Sequence, residues 1–410
     1  MQRATNLQDE IITQPIGRIV LQRSSREPDG RGARQDEAGK LCRRFPHLFA
    51  NPCHRCDHPA ATGICIEGPG HRARIRLAQH AHRRRVVLEV VRKLTAALVL
   101  FALSSSVQAQ MLGSDAQVEV IRAAADLIEA RYVDPAKGKQ IAVALRQSGS
   151  RWQEPRDAAA FARDATTLLR TLSSDGHLGL SYSAKPIPEQ DGETAFSESE
   201  MEKWYGPQLN HGIERIERLP GNVMLLDLRV FPPPSMAGDV FAAAMTVVAQ
   251  GDALIIDLRN NGGGAETSSL LAGYVLEGGS PLSGSYNRPT DTRAYAVSPA
   301  WVPGRRFGSS KPLYILTSGK TFSAAEAVAY DLQALKRAVI VGEVTGGGAH
   351  PFEYRRVHAH FAVDLPESRS INPITNSNWQ DVGVKPDVPV PAERALEKAL
   401  ELIRSSGADG

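Results

Sequence analysis

An α/β layered domain behind a small helical unit is the architecture this sequence predicts, and three observations predict it. Short apolar runs at 223–228, 253–258, 313–316 and 338–341 are nearly continuous rather than alternating, as in strands buried on both faces. Helical stretches lie between them, at 236–250, 268–276 and 323–335, and this alternation is that of a sheet with helices packed against it. Ahead of both, residues 114–173 carry apolar side chains at helical spacing.

Taken in order, Val118, Ile121, Ala125, Ile128 and Tyr132 share one helical face, and Asp134-Pro135 breaks the run. Ile141, Ala144 and Leu145 begin a second helix. A third spans Ala158 to Leu172, with Phe161, Ala165, Leu168, Leu169 and Leu172 on one side. Residues 185–205 are rich in Pro, Glu and Ser and are expected to form a loop. The core strands and helices follow, and 392–403 closes the chain as a helix. The expected divisions are a helical domain over 110–174 and an α/β core over 175–410.

The 410 residues are 42% hydrophobic and 23% charged, which excludes a wholly disordered chain, a collagen and a polytopic membrane protein. The net charge of +3 averages two unlike parts. Residues 1–109 hold 18 Lys and Arg against 9 Asp and Glu, while 110–410 hold 30 against 36. The globular part is therefore mildly acidic, which argues against nucleic acid as a partner.

Residues 1–90 show no sustained hydrophobic period and are read as a mistranslated or disordered leader. All four cysteines lie there, and Cys53-x-x-Cys56 is half of a zinc pattern without its second half. Val91-Arg92-Lys93, the apolar run Leu94–Leu103 and Val107-Gln108-Ala109 then have the three-part form of a secretory signal, cleaved after Ala109. The run is too short to span a bilayer, which takes about 20 residues; the competing reading is a buried helix. The expectation is a natural start near Val91 and a mature, cysteine-free chain from Gln110, exported to the periplasm or beyond, with no membrane anchor after cleavage.

Five segments can carry chemistry. In Thr321-Phe322-Ser323-Ala324-Ala325-Glu326 a strand ends and a helix begins at Ser323, which puts a hydroxyl at the sheet edge beside free helix N–H groups. That suits a nucleophile, but Ser323-x-x-Glu326 is equally a capping box. Asp257-Leu258-Arg259-Asn260-Asn261-Gly262-Gly263-Gly264 runs a buried strand into glycines whose N–H groups can hold an anion or a developing oxyanion. Ser174-Asp175-Gly176-His177 supplies a histidine that can take a proton from serine, or that is a plain turn residue. Gly342 to Pro351 is a glycine loop carrying His350, and Trp379 to Asp387 contains Gln380 and Asp381.

In this order, the segments resemble the tail-specific, or C-terminal processing, serine peptidases, above all the tricorn-core-like and interphotoreceptor retinoid-binding-protein-like branch. Asp-Gly-His, Leu-Pro-Gly-Asn-Val (219–223), Asp-Leu-Arg-Asn-Asn-Gly-Gly-Gly, Thr-Phe-Ser-Ala-Ala-Glu and Gly-Val-Lys-Pro-Asp carry the likeness over roughly 115–405. The resemblance implies a ClpP/crotonase-like layered core, Ser323 as nucleophile, the N–H groups of Gly263 and Ala324 as oxyanion hole, and His177 as general base. It implies a protein or peptide substrate, no metal or cofactor, and self-association.

Two departures stand out. Many relatives pair the serine with a lysine 25 residues on; here that place is Gly348, with only Lys320 and Lys385 as remote substitutes. The histidine branch orients its base with a glutamate just before Gly-Val-x-Pro-Asp; here the position is Gln380, with Asp381 next to it, so that either Asp381 substitutes or the triad is weakened. Only 45 residues lie between His177 and Val223, too few for the PDZ module that many processing peptidases carry. The function expected is an exported serine peptidase working through an acyl-enzyme. The alternatives are a catalytically weak binding protein for apolar ligands or peptides, and an esterase using the same serine.

Overall fold

Helix-period apolar residues fold 114–173 into three packed helices in this computed structural model, which describes residues 111–189 and 198–407. A two-residue strand, β1 (Met111–Leu112), precedes α1 (Ser114–Arg131) and pairs antiparallel with β2 (Arg156–Asp157). α1 buries Val120, Ile121, Ala124, Ala125 and Ile128. α2 (Pro135–Gln147) starts with Pro at its first position, and the Asp134 carboxylate accepts from the N–H groups of Ala136 and Lys137, the capping that a helix N-terminus requires. α3 (Ala158–Ser173) is capped likewise by Asp157. It ends at Ser174, whose left-handed backbone (φ 56°) turns the chain into the Asp175-Gly176-His177 segment.

The helices do not bury their apolar faces on one another alone. β3 (Gly179–Tyr182) joins a three-stranded antiparallel sheet further along the chain, and Leu178, Leu180, Phe361, Val363 and Leu365 share the helical core. The segment expected as a loop over 185–205 contains α4 (Glu198–Tyr205). Its prolines stop at Pro188 and resume at Pro207, which leaves an unbroken stretch able to coil.

Among the described residues the main sheet has six strands. β4 (Ile213–Leu219) is the antiparallel edge beside β5 (Val223–Leu228); β6 (Ala253–Asp257) lies parallel to β5. Between them runs α5 (Pro234–Val248), and after β6 comes α6 (Thr267–Val275). The hairpin β7 (Pro281–Asn287) and β8 (Thr292–Val297) belongs to a second small sheet. β9 (Leu313–Thr317), α7 (Ala324–Ala334) and β10 (Val339–Gly342) return to the main sheet. β11 (Phe352–His358) and β12 (Phe361–Pro366) complete the sheet of β3, and β13 (Ser368–Ile371) completes that of β7. β14 (Val388–Pro389) and α8 (Ala395–Ser405) end the fold, and the main sheet reads β14-β10-β9-β6-β5-β4.

The near-continuous apolar runs follow from this layering. Met224, Leu226, Leu254 and Ile256 face α5, α6 and α7, while Val223, Leu225, Ala253 and Ile255 face α8 through Ala395, Ala399 and Ile403. Both faces are covered, so neither parity of strand residues can be polar. The expected leader, the Cys53-x-x-Cys56 pair and the signal-like segment 91–109 lie outside the described residues.

Candidate active site

Parallel strands β6, β9 and β10 end on one edge of the main sheet and release three loops there, the usual place for a site in such a sheet. The loops are tied together before any substrate arrives. Asn261 donates through Nδ2 to the Leu228 carbonyl at 3.1 Å and accepts the Gly263 N–H on Oδ1 at 2.8 Å. The Phe322 N–H donates to the Asn261 carbonyl at 3.0 Å, and Thr321 Oγ1 donates to the Leu258 carbonyl at 2.8 Å. The glycine turn after β6 is thus fastened to the turn that carries Ser323.

Ser323 sits at φ 54° and ψ −121°, a conformation that costs a non-glycine residue about 1–3 kcal/mol. Such strain is held only where the surroundings over-determine it. Here Glu326, fully buried, accepts the Ser323 N–H at 2.9 Å as α7 opens in a capping box. The same carboxylate accepts from Thr345 Oγ1 at 2.5 Å and from the N–H groups of Gly347 and Gly348 at 2.7 and 2.8 Å. Burial pushes its pKa up against these four bonds. The hydroxyl itself is turned to histidine: Ser323 Oγ lies 3.0 Å from His177 Nε2. Capping and pairing to a base, which the sequence offers as rivals, coexist at this residue.

His177 is held by packing. Phe322 lies against its ring at 4.7 Å between centroids and Phe352 at 5.8 Å. Burial depresses its pKa to about 4, with the Asp175 charge opposing and His350 and Arg170 reinforcing the shift. The imidazole is therefore neutral at neutral pH and can accept a proton at Nε2. Its Nδ1 is buried without a hydrogen-bond partner and stands 4.0 Å from Asp175 Oδ1. Asp175, also fully buried, accepts from the His177 N–H at 3.0 Å, from Tyr132 Oη at 2.9 Å and pairs with His350 Nδ1 at 2.8 Å. Burial works against its ionisation, but the His350 hydrogen bond and the neighbouring histidines outweigh it and hold the carboxyl below its ordinary value.

The remaining expected residues divide. Ala324, first in α7, has an N–H without a partner among the described residues. Gly263 lies directly against the serine: a Cβ there would stand 2.6 Å from Ser323 Cβ and 2.9 Å from Ala324 N. Its φ of 102° also requires glycine. Its N–H, however, is occupied by Asn261 Oδ1. Gln380 and Asp381, expected beside the imidazole, make no hydrogen bond to it. Gln380 accepts the Ala349 N–H at 2.7 Å and donates to Asp381 at 2.8 Å, and Asp381 is an exposed partner of Lys137 at 3.8 Å. That segment buttresses the glycine loop instead. Neither Lys320 nor Lys385 bonds to Ser323, and a side chain at Gly348 would meet Phe322 Cζ at 2.2 Å and His177 Cε1 at 2.9 Å. The lysine position is filled by the histidine and its aromatic wall. The residues around the serine that sequence reasoning passed over are Asp175, Tyr132 and Phe322. Asp175 stood in the Asp-Gly-His segment, two residues from the histidine.

Residues 226–390 match the model of peptidase family S41. Over these residues the α/β core is similar to peptidase family S41. The protein is a serine-type peptidase, and the S41 match spans the two loops that flank Ser323 as well as the Gly-Val-Lys-Pro-Asp segment. The fold is shared with solved structures. A lipoprotein from Streptococcus agalactiae is 14% identical, with 70% of this chain and 96% of that one covered at a TM-score of 0.50. A candidate peptidase from Parabacteroides merdae is 15% identical over the same shares, also at 0.50. His177 and the helical unit lie before the start of the S41 match. Among the described residues no group of three or more His, Cys, Asp or Glu side chains is arranged to hold a metal ion. No described helix is long and apolar enough to cross a membrane.

Proposed function

We propose that the protein is an exported peptidase that hydrolyses peptide bonds through an acyl-enzyme on Ser323, with His177 as general base. The reading rests above all on the 3.0 Å approach of Ser323 Oγ to His177 Nε2. His177 Nε2 takes the hydroxyl proton as Oγ attacks the peptide carbonyl carbon. The carbonyl oxygen, now anionic, is received by the unpartnered Ala324 N–H at the positive end of α7. The Gly263 N–H joins it by exchanging Asn261 Oδ1 for the substrate oxygen. The imidazolium then protonates the leaving amine. Water, deprotonated by the same Nε2, releases the acyl group and restores the serine. The substrate is a protein or peptide, and resemblance to the processing peptidases points to cleavage near a C-terminal tail. Export rests on the signal-like segment at 91–109.

The test is labelling of the full chain with a fluorophosphonate, read by intact mass. One adduct on wild type and none on Ser323→Ala, with unchanged circular dichroism, is expected. Equal labelling of the two proteins overturns the assignment.

A further inference from the structure

The histidine that faces Ser323 has a buried Nδ1 with no hydrogen-bond partner. A serine-activating imidazole needs something on that side, because the proton it gains leaves it charged inside the protein. The segment at 380–381 does not supply it: Gln380 is spent on the Ala349 N–H and on Asp381. Among the described residues, the only carboxylate with an oxygen within 4.0 Å of a ring nitrogen is that of Asp175.

We infer that Asp175 is the positioning carboxylate of His177, completing a Ser323–His177–Asp175 relay in which Tyr132 and His350 hold the aspartate in place. The inference rests on the reading of Ser323 as nucleophile and His177 as base. Its support is geometric. Asp175 is fully buried, so its charge is not screened by water. Oδ2 is fixed from two directions, by Tyr132 Oη at 2.9 Å and His350 Nδ1 at 2.8 Å. Oδ1 accepts the His177 N–H at 3.0 Å, which locks the aspartate and the histidine in one tight turn, and keeps a further lone pair toward Nδ1.

At 4.0 Å the ring and the carboxylate are just out of hydrogen-bond range while the imidazole is neutral. Transfer of the Ser323 proton to Nε2 leaves the proton on Nδ1 facing a carboxylate, and the pair closes as charge develops. Hydrogen bonds of catalytic groups are commonly long before the reaction and tighten during it. The charged and titratable groups that bear on His177 are Asp175, which favours the imidazolium, and His350 and Arg170, which oppose it. His350 also pairs with the same aspartate through Nδ1 and so orients Asp175.

The test compares phosphonate acylation of the full chain in wild type, Asp175→Asn and His350→Gln across pH. Asp175→Asn is expected to keep a single adduct on Ser323, to acylate at least 100-fold more slowly at neutral pH, and to shift the acid limb of the rate profile to lower pH. His350→Gln, whose amide can still donate to Asp175, is expected to slow acylation less than Asp175→Asn does. Should Asp175→Asn not fold, proton NMR of the wild-type adduct decides: protonated His177 is expected to give an Nδ1–H resonance far downfield of the amides, still present in the His350→Gln adduct. Equal acylation rates and acid limbs in wild type and Asp175→Asn, or no downfield resonance, overturn the inference while Ser323 remains the labelled residue. Failure of wild type to label at Ser323 instead removes the reading on which it stands.

Discussion

At Ser323 the backbone strain and the contact with His177 belong to one arrangement. A residue at φ 54° and ψ −121° throws its side chain away from the helix axis, here toward the imidazole. Glycines make the room. Gly348 lies under Phe322 and His177, where even a Cβ has no space. Gly348→Ala is therefore expected to cost about 1–3 kcal/mol through overpacking, seen as a lower melting temperature, and to slow acylation of Ser323 by displacing the ring. An unchanged melt would contradict the packing described. At this scale much was legible: Ser323, His177 and Gly263 lie in motifs whose residue types match their chemistry. The role of Asp175 was not, because the carboxylate was sought near Gly-Val-Lys-Pro-Asp and because an aspartate in a turn carries no sign of burial in sequence. Nor could sequence tell that the Gly263 N–H is already occupied by the Asn261 side chain.

Among the elements, the start of α7 depends on a loop that follows β10. Glu326 accepts four hydrogen bonds, one from Ser323 and three from 345–348, and so joins the serine turn to the glycine loop. In Glu326→Gln the amide N–H groups would face donors rather than acceptors. Leaving such buried groups unpaired costs about 1–3 kcal/mol each. The variant is expected to melt at least several degrees lower and to lose phosphonate labelling, checked by calorimetry and intact mass; a stability equal to wild type would contradict the hub. The core strands were readable because both faces are apolar. The small sheets were not. β8 is almost wholly exposed along Thr292–Val297, and β11 carries Arg355 and Arg356 in succession with a register shift before His358, so neither shows a clean period of two.

Across the whole molecule, the site joins parts distant in sequence: 146 residues separate His177 from Ser323. His177 leaves a helical unit whose core continues into β3, β11 and β12, so the base is positioned by one packed cluster and the nucleophile by another. β3 and β12 also hold a half-buried carboxyl. Asp364 has Ser181 Oγ at 2.9 and 3.1 Å from its two oxygens, and burial, against that hydrogen bonding, raises its pKa to about 6. An unfolded aspartate titrates at about 3.9, so the folded state binds the extra proton between these values. The stability from this group is full below about pH 4 and lost as pH rises through about 6. Asp364→Asn is expected to melt higher than wild type at pH 8 and close to it at pH 4, measured by calorimetry. A difference that does not depend on pH would refute the titration.

His177 has the opposite sense: its proton is refused until pH falls to about 4. The most direct measurement of the central claim is therefore the rate of fluorophosphonate acylation of the full chain against pH, with the adduct mapped to its residue. A single adduct on Ser323, with a rate that holds from neutral pH down and falls only near pH 4, is the result predicted for a buried neutral imidazole paired to the serine. An adduct on another residue, or a rate on Ser323 that is already lost at the ordinary histidine pKa of about 6.5, would contradict it.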